Sequence, residues 1–152
     1  MSKIAKSKYA PIALFVYNRL EHTKHTINAL LKNPQAKYSK LFVYSDAAKT
    51  KDDVRYVSNV RSYLKSINGF AEVHIVLRKA NMGLANSIID GVTYLCQKYG
   101  SVIVLEDDIE TSPHFLSFMN NALCKFSENA TVSSISGYMF PVHNATNDGV
   151  FF

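Results

Sequence analysis

The sequence predicts an α/β fold, a Rossmann-like three-layer α/β/α domain on a mostly parallel sheet. Two observations carry this. Short, continuous apolar runs alternate with longer segments whose apolar residues recur at helical spacing, in the order β-α-β-α-β-α-β-α-β. The runs are apolar on both sides of the pleat, as in strands covered by helices on two faces.

Residues 12–17 (IALFVY) are the first strand. Residues 21–31 set Thr26, Ile27, Leu30 and Leu31 at helical spacing, and Asn33-Pro34 ends that helix. Residues 41–44 are the second strand. Across residues 52–67, Val54, Val57, Val60, Leu64 and Ile67 share one helical face, stopped by Asn68-Gly69. Residues 73–77 are the third strand. Leu84, Ile88, Ile89, Val92, Leu95 and Tyr99 line a third helix that Gly100 closes. Residues 102–105 (VIVL) are the fourth strand. Thr111-Ser112-Pro113 opens a fourth helix, with a hydroxyl N-cap ahead of Pro at the first helical position. Its apolar stripe is Phe115, Leu116, Met119, Leu123 and Phe126. Residues 132–136 add one more strand. With no repeat, linker or low-complexity stretch, residues 1–152 read as a single domain.

A chain of 152 residues can bury roughly 68–70% of its unfolded surface. Its 47% hydrophobic and 19% charged residues exclude disorder, collagen and coiled coil. No run approaches the ~18 uninterrupted apolar residues of a membrane span. The basic start, with Lys3, Lys6 and Lys8, leads into no signal-peptide pattern, but it can touch an anionic lipid surface. Seventeen Lys and Arg against 12 acidic residues leave a net charge of +5, which favours anionic partners such as phosphates. No long basic tract points to nucleic acid. Cys96 and Cys124 lie among apolar residues in helical stretches and are expected as buried free thiols, in a reducing, cytoplasmic compartment.

In parallel α/β sheets ligands bind beyond the carboxyl ends of the strands. Here those ends carry Asn18-Arg19, Ser45-Asp46, residues 78–83 (RKANMG) and Glu106-Asp107-Asp108. The acidic triplet is the densest feature. Three consecutive carboxylates in a partly dry site repel one another unless a cation offsets them. Mg²⁺ or Mn²⁺ suits that role, taking one or two carboxylates together with substrate phosphates. The plainer alternative is a solvated acidic loop before a helix. Asp46 can accept from a nucleobase or ribose, or simply form a turn. Arg19 suits a diphosphate or a carboxylate, or is an exposed charge. Asn81 and Gly83 allow an unusual turn that brings the third helix's N-terminus toward a ligand, or merely a loop. His22 and His25 read as solvated, and His74 as packed or at a sheet edge. No Gly-x-Ser-x-Gly elbow marks a covalent nucleophile.

Several segments resemble known enzymes: PIALFVYNR at 11–19, FVYSDAAK at 42–49, RKANMGLANSIIDGV at 78–92 and VIVLEDDIETSPHFL at 102–116. In this order they resemble nucleotide-sugar glycosyltransferases of the GT-A fold, over about residues 10–140. The nearest likeness is to bacterial polysaccharide sugar transferases similar to N-acetylglucosaminyltransferase I. By this resemblance Glu106-Asp107-Asp108 matches the family's DxD-type motif. Asp108 would then hold the metal, Glu106 would face the ribose and Asp107 the donor sugar. Asp46 matches the acid that reads the base, Arg19 the basic residue near the nucleotide, and Asn81 and Gly83 the donor-side loop.

The implied activity is metal-dependent, inverting transfer of a sugar from a nucleotide-diphosphate sugar such as a UDP-sugar. The acceptor is a saccharide or a lipid-linked saccharide. The resemblance implies a longer enzyme whose second half supplies the general base. This chain has no Trp, and His143 and Asp148 lie in a polar tail. It is therefore expected to be a donor-binding half. The apolar end at 149–152 is expected to meet a partner or a further segment, so an oligomer is an alternative. Two other readings stand beside this one. A sugar nucleotidyltransferase would carry a Gly-rich loop after the first strand, where Asn18-Arg19-Leu20-Glu21 has no glycine. A non-catalytic nucleotide-binding or assembly module would show no metal-dependent affinity for nucleotides.

Overall fold

A computed structural model describes residues 9–138. Four strands, β1 (Ile12–Val16), β2 (Lys40–Ser45), β3 (Glu72–Leu77) and β4 (Ile103–Glu106), form one sheet in the order β3-β2-β1-β4. All three pairings are parallel, with Leu14 opposite Val43 and Leu105, and Val43 opposite Ile75. The helices are α1 (Leu20–Leu31), α2 (Asp53–Leu64), α3 (Leu84–Tyr99) and α4 (Phe115–Lys125), with a short 3₁₀ turn at Ala36–Tyr38.

Alternation along β1 divides the core between two faces. Ile12, Leu14 and Val16 pack with Ile27 and Leu30 of α1, Val60 and Leu64 of α2, and Leu116 and Met119 of α4. Ala13 and Phe15 pack on the other face with Phe42, Tyr44 and Leu95 of α3. The predicted three-layer α/β/α arrangement is therefore present.

Local chemistry sets the helix ends. Before α2, the Thr50 N–H donates to Asp53 Oδ2 at 3.1 Å and the Asp53 N–H to Thr50 Oγ1 at 3.3 Å, a reciprocal capping pair. The Thr50 hydroxyl bond leads the interactions that hold the Asp53 carboxyl below its ordinary pKa. Gly100, in the left-handed region at φ 84°, closes α3 as expected.

Four expectations are corrected. Residues 132–136 form no strand, because Val132 and Ile135 are three apart with serines between them and give no period-two apolar face. Ile135 instead packs at the edge of the larger core. Thr111 and Ser112 do not cap α4. The Ser112 carbonyl accepts from the Phe115 N–H at 3.1 Å, and the Leu116 N–H donates at 2.9 Å to Oδ1 of Asn33, just past α1. The apolar stripe of α3 holds only in part: Leu95 is buried and Ile88, Val92 and Tyr99 pack against the same core. Leu84 and Ile89, however, are exposed, and Ser87 and Gly91, outside the stripe, are buried. The large Phe15 and Tyr44 rings, stacked at 5.0 Å, leave no room for a side chain at Gly91. Finally, Cys96 and Cys124 are free, but the first is half-buried and the second exposed. Each is adjacent to, rather than on, its helix's buried line.

Candidate functional site

A parallel sheet brings all its strand ends to one edge, and in this chain a cleft of about 330 Å³ lies there. Arg19, Asp46, Asn81, Gly83, Glu106 and Asp107 all line it. Asp108 does not line it, but it is tied to the cleft through Arg19.

Each residue is placed by its element. Arg19 precedes α1, and its carbonyl accepts the Thr23 N–H at 3.0 Å and the Thr23 hydroxyl at 2.9 Å. Its Nη2 bonds Asp107 Oδ1 and, at 3.1 Å, Asp108 Oδ2. The hydrogen bond to Asp107 raises the Arg19 pKa further above its ordinary value. Asp107 follows β4, and its carbonyl accepts from the buried Thr26 hydroxyl of α1 at 3.0 Å. Its side chain is 5% exposed, against 46% for Asp108. Asp107 Oδ2 is buried with no hydrogen-bond partner in the structure. Glu106 ends β4 opposite Phe15, on the face that α3 covers.

Asp46 turns inward. Its carboxylate accepts from the Ala47 N–H at 2.8 Å, the Met82 N–H at 3.0 Å and the Gly83 N–H at 2.9 Å. The Met82 N–H also reaches the second oxygen at 3.2 Å, so both carboxylate oxygens are engaged by the main chain. Gly83, at φ 73° and ψ 159°, supplies a backbone conformation favoured by glycine at the start of α3. Asn81 Nδ2 donates to the Ala47 carbonyl at 2.7 Å and joins the loops that follow β2 and β3.

Four residues of the site carried no weight in the sequence. Arg61 of α2 gathers the carbonyls of Ser45 at 3.3 Å, Asp46 at 3.1 Å and Arg78 at 2.8 Å, all from one Nη2. Its contacts are 15 to 17 residues away, so no local pattern announces them. Ser87 lines the cleft with a buried hydroxyl that has no hydrogen-bond partner; its small size on the sheet side of α3 was the available clue. Lys49 is an exposed cation at the cleft, three residues after Asp46. The Tyr17 hydroxyl accepts the Lys49 N–H at 2.8 Å. Burial pushes the Tyr17 phenol up, with Asp53 and Asp46 adding to the shift.

Among the described residues no three His, Cys, Asp or Glu side chains gather into a metal-ligand set. A Mg²⁺-type ion needs only one or two carboxylates if a bound ligand and water complete its shell. The unpartnered Asp107 Oδ2 beside half-exposed Asp108 fits that simpler requirement. The histidines remain apart: His25 lies 3.5 Å from Glu110, while His74 stacks on Phe42 and bonds Glu72. No helix among the described residues is long and apolar enough to cross a membrane. Lys3, Lys6, Lys8, His143, Asp148 and the apolar end at 149–152 lie outside the described residues.

No protein-family model matches the chain, and no curated protein matches it in sequence. Among solved structures, it is similar to the crystal structure of the glycosyltransferase TarS of S. aureus, with a TM-score of 0.53 at 13% identity. The match covers 78% of this chain and 20% of that one, so this chain spans a small part of its neighbour's length. At that identity the likeness bears on the fold alone: a Rossmann-like three-layer α/β architecture shared with part of that structure.

Proposed function

We propose that the chain is the nucleotide-sugar-binding part of a metal-dependent glycosyltransferase. The observation that carries the reading is the convergence of Arg19, Asp46, Asn81, Gly83, Glu106 and Asp107 on one cleft at the carboxyl edge of the sheet. They arrive there from three separate loops and from the end of β4.

In this reading the residues divide the donor between them. Asp46 lies at the base or ribose, while its hydrogen bonds hold the wall formed by Met82 and Gly83. Glu106 faces the ribose and Asp107 a donor-sugar hydroxyl. Arg19 and Lys49 supply positive charge at the diphosphate, where an Arg fork suits two phosphate oxygens. Asp107 and Asp108 would hold Mn²⁺ or Mg²⁺, which when bound stabilises negative charge on a leaving diphosphate. Transfer to a saccharide or lipid-linked acceptor, with inversion and a general base, belongs to the proposed whole enzyme.

A thermal-shift panel of UDP, GDP, CMP and dTDP, with and without Mn²⁺, tests the reading. Metal-linked stabilisation is expected for one nucleotide, about 2.7 kcal/mol at a hundredfold excess over Kd. Asp108→Ala should abolish the metal-linked part, as read by calorimetric titration. If every nucleotide is silent with Mn²⁺, or if the variant retains full metal-linked affinity, the proposal fails.

A further inference from the structure

We propose that Arg19 is the built-in counter-cation of Asp107 and Asp108, and that a divalent cation and a diphosphate bind cooperatively because together they displace it. The inference rests on the nucleotide-sugar reading and adds to it a way of controlling occupancy of the same site.

The starting point is the cost of burying charge. A carboxylate as enclosed as that of Asp107 needs a partner, and the Arg19 guanidinium is one. One nitrogen of Arg19 serves both acidic side chains, so the space between them already holds a positive charge. A divalent ion arriving alone would meet Arg19 at close range, and repulsion from the guanidinium would offset part of its attraction to the carboxylates. A ligand carrying a doubly negative group restores the balance. It also gives Arg19 somewhere to go, since two phosphate oxygens match the guanidinium fork better than one oxygen from each of two carboxylates.

Three further features fit this exchange. The Arg19 side chain is 43% exposed and lines the cleft, so it can leave Asp107 without crossing the core. Its backbone is held by Thr23, which keeps the start of α1 in place while the side chain moves. Asp107 Oδ2, buried and without a hydrogen-bond partner, is an acceptor that Arg19 does not use.

Mn²⁺ binding, followed by electron paramagnetic resonance with and without UDP, tests this on the whole chain and on R19Q and R19K. In the unsubstituted protein UDP should tighten Mn²⁺ binding at least about fivefold, the lower range of coupling between linked sites. R19Q removes the competing charge. It should bind Mn²⁺ alone roughly tenfold more tightly and gain less from UDP, a change within the usual span of such couplings. R19K keeps the charge and should bind Mn²⁺ alone as weakly as the unsubstituted protein. If R19Q does not fold, Arg19→Met gives the same neutralisation. Unchanged or weaker Mn²⁺ binding by the neutral variant overturns the proposal, because Arg19 would then merely support the acidic pair. If none of the proteins takes up Mn²⁺ even with UDP present, the nucleotide-sugar reading itself falls.

Discussion

The carboxylate of Asp46 accepts the N–H of Gly83 at 2.9 Å across 37 residues of sequence, joining the end of β2 to the start of α3. The adjacent Met82 N–H bonds the same carboxylate. One side chain thereby shapes a wall of the cleft. Asp46→Asn replaces one oxygen by an amide that must face a peptide N–H. The substitution should cost about 1.5–3 kcal/mol, the range for a hydrogen bond to a charged group. Urea denaturation should show the loss, and nucleotide-dependent stabilisation should fall with it.

Gly83→Ala separates conformation from crowding. A Cβ at Gly83 would meet no atom within 4 Å, yet φ 73° with ψ 159° is backbone territory almost reserved for glycine. The strain should destabilise the fold by about 1–3 kcal/mol. The denaturation midpoint should drop at unchanged slope. An unchanged midpoint would show that the loop relaxes freely.

Gly91→Ala sets two effects against each other. Alanine favours a helix interior by about 1 kcal/mol over glycine. The new Cβ would lie 2.9 Å from Tyr44 Cζ and 3.0 Å from Phe15 Cζ, on two buried and mutually stacked rings. Overpacking of this kind typically costs about 1–3 kcal/mol, so the clash should win and the melting temperature should fall. A rise would mean that the rings shift readily.

Asn33→Ala removes the acceptor for the Leu116 N–H and leaves that group buried without it. The expected loss is about 1–3 kcal/mol. Amide exchange at Leu116 should accelerate more than exchange along β1. Asn33→Asp keeps an acceptor oxygen but loses the donor to the Ala29 carbonyl, so it should recover part of the loss.

The sequence displayed the parallel sheet because strands buried on both faces are apolar without interruption, as residues 12–16 are. It displayed the rim of the cleft for the same reason: once parallel strands are assumed, Arg19, Asp46, Asn81, Gly83, Glu106 and Asp107 must approach one edge. Interactions fixed only by tertiary placement stayed hidden. Asn33 and Leu116 are 83 residues apart, and nothing near either one forecasts their bond. The stripe on α3 was right for Ile88, Val92, Leu95 and Tyr99 and wrong for Leu84 and Ile89, because apolar spacing records which residues are greasy and not what shape confronts them. Ile89 ended outside, while Gly91 sits against Phe15 and Tyr44. The capping pair of Thr50 and Asp53, by contrast, joins residues three apart, a local contact that the sequence reading passed over.

Arg61 holds the carbonyl groups where β2 and β3 end, from a helix lying beside that rim. The mouth is therefore braced from outside by a residue that does not itself line it. Side chains bordering the opening can diverge while the main chain beneath them keeps its course. Aperture and chemical taste become independent variables, the condition under which one scaffold can serve many different guests.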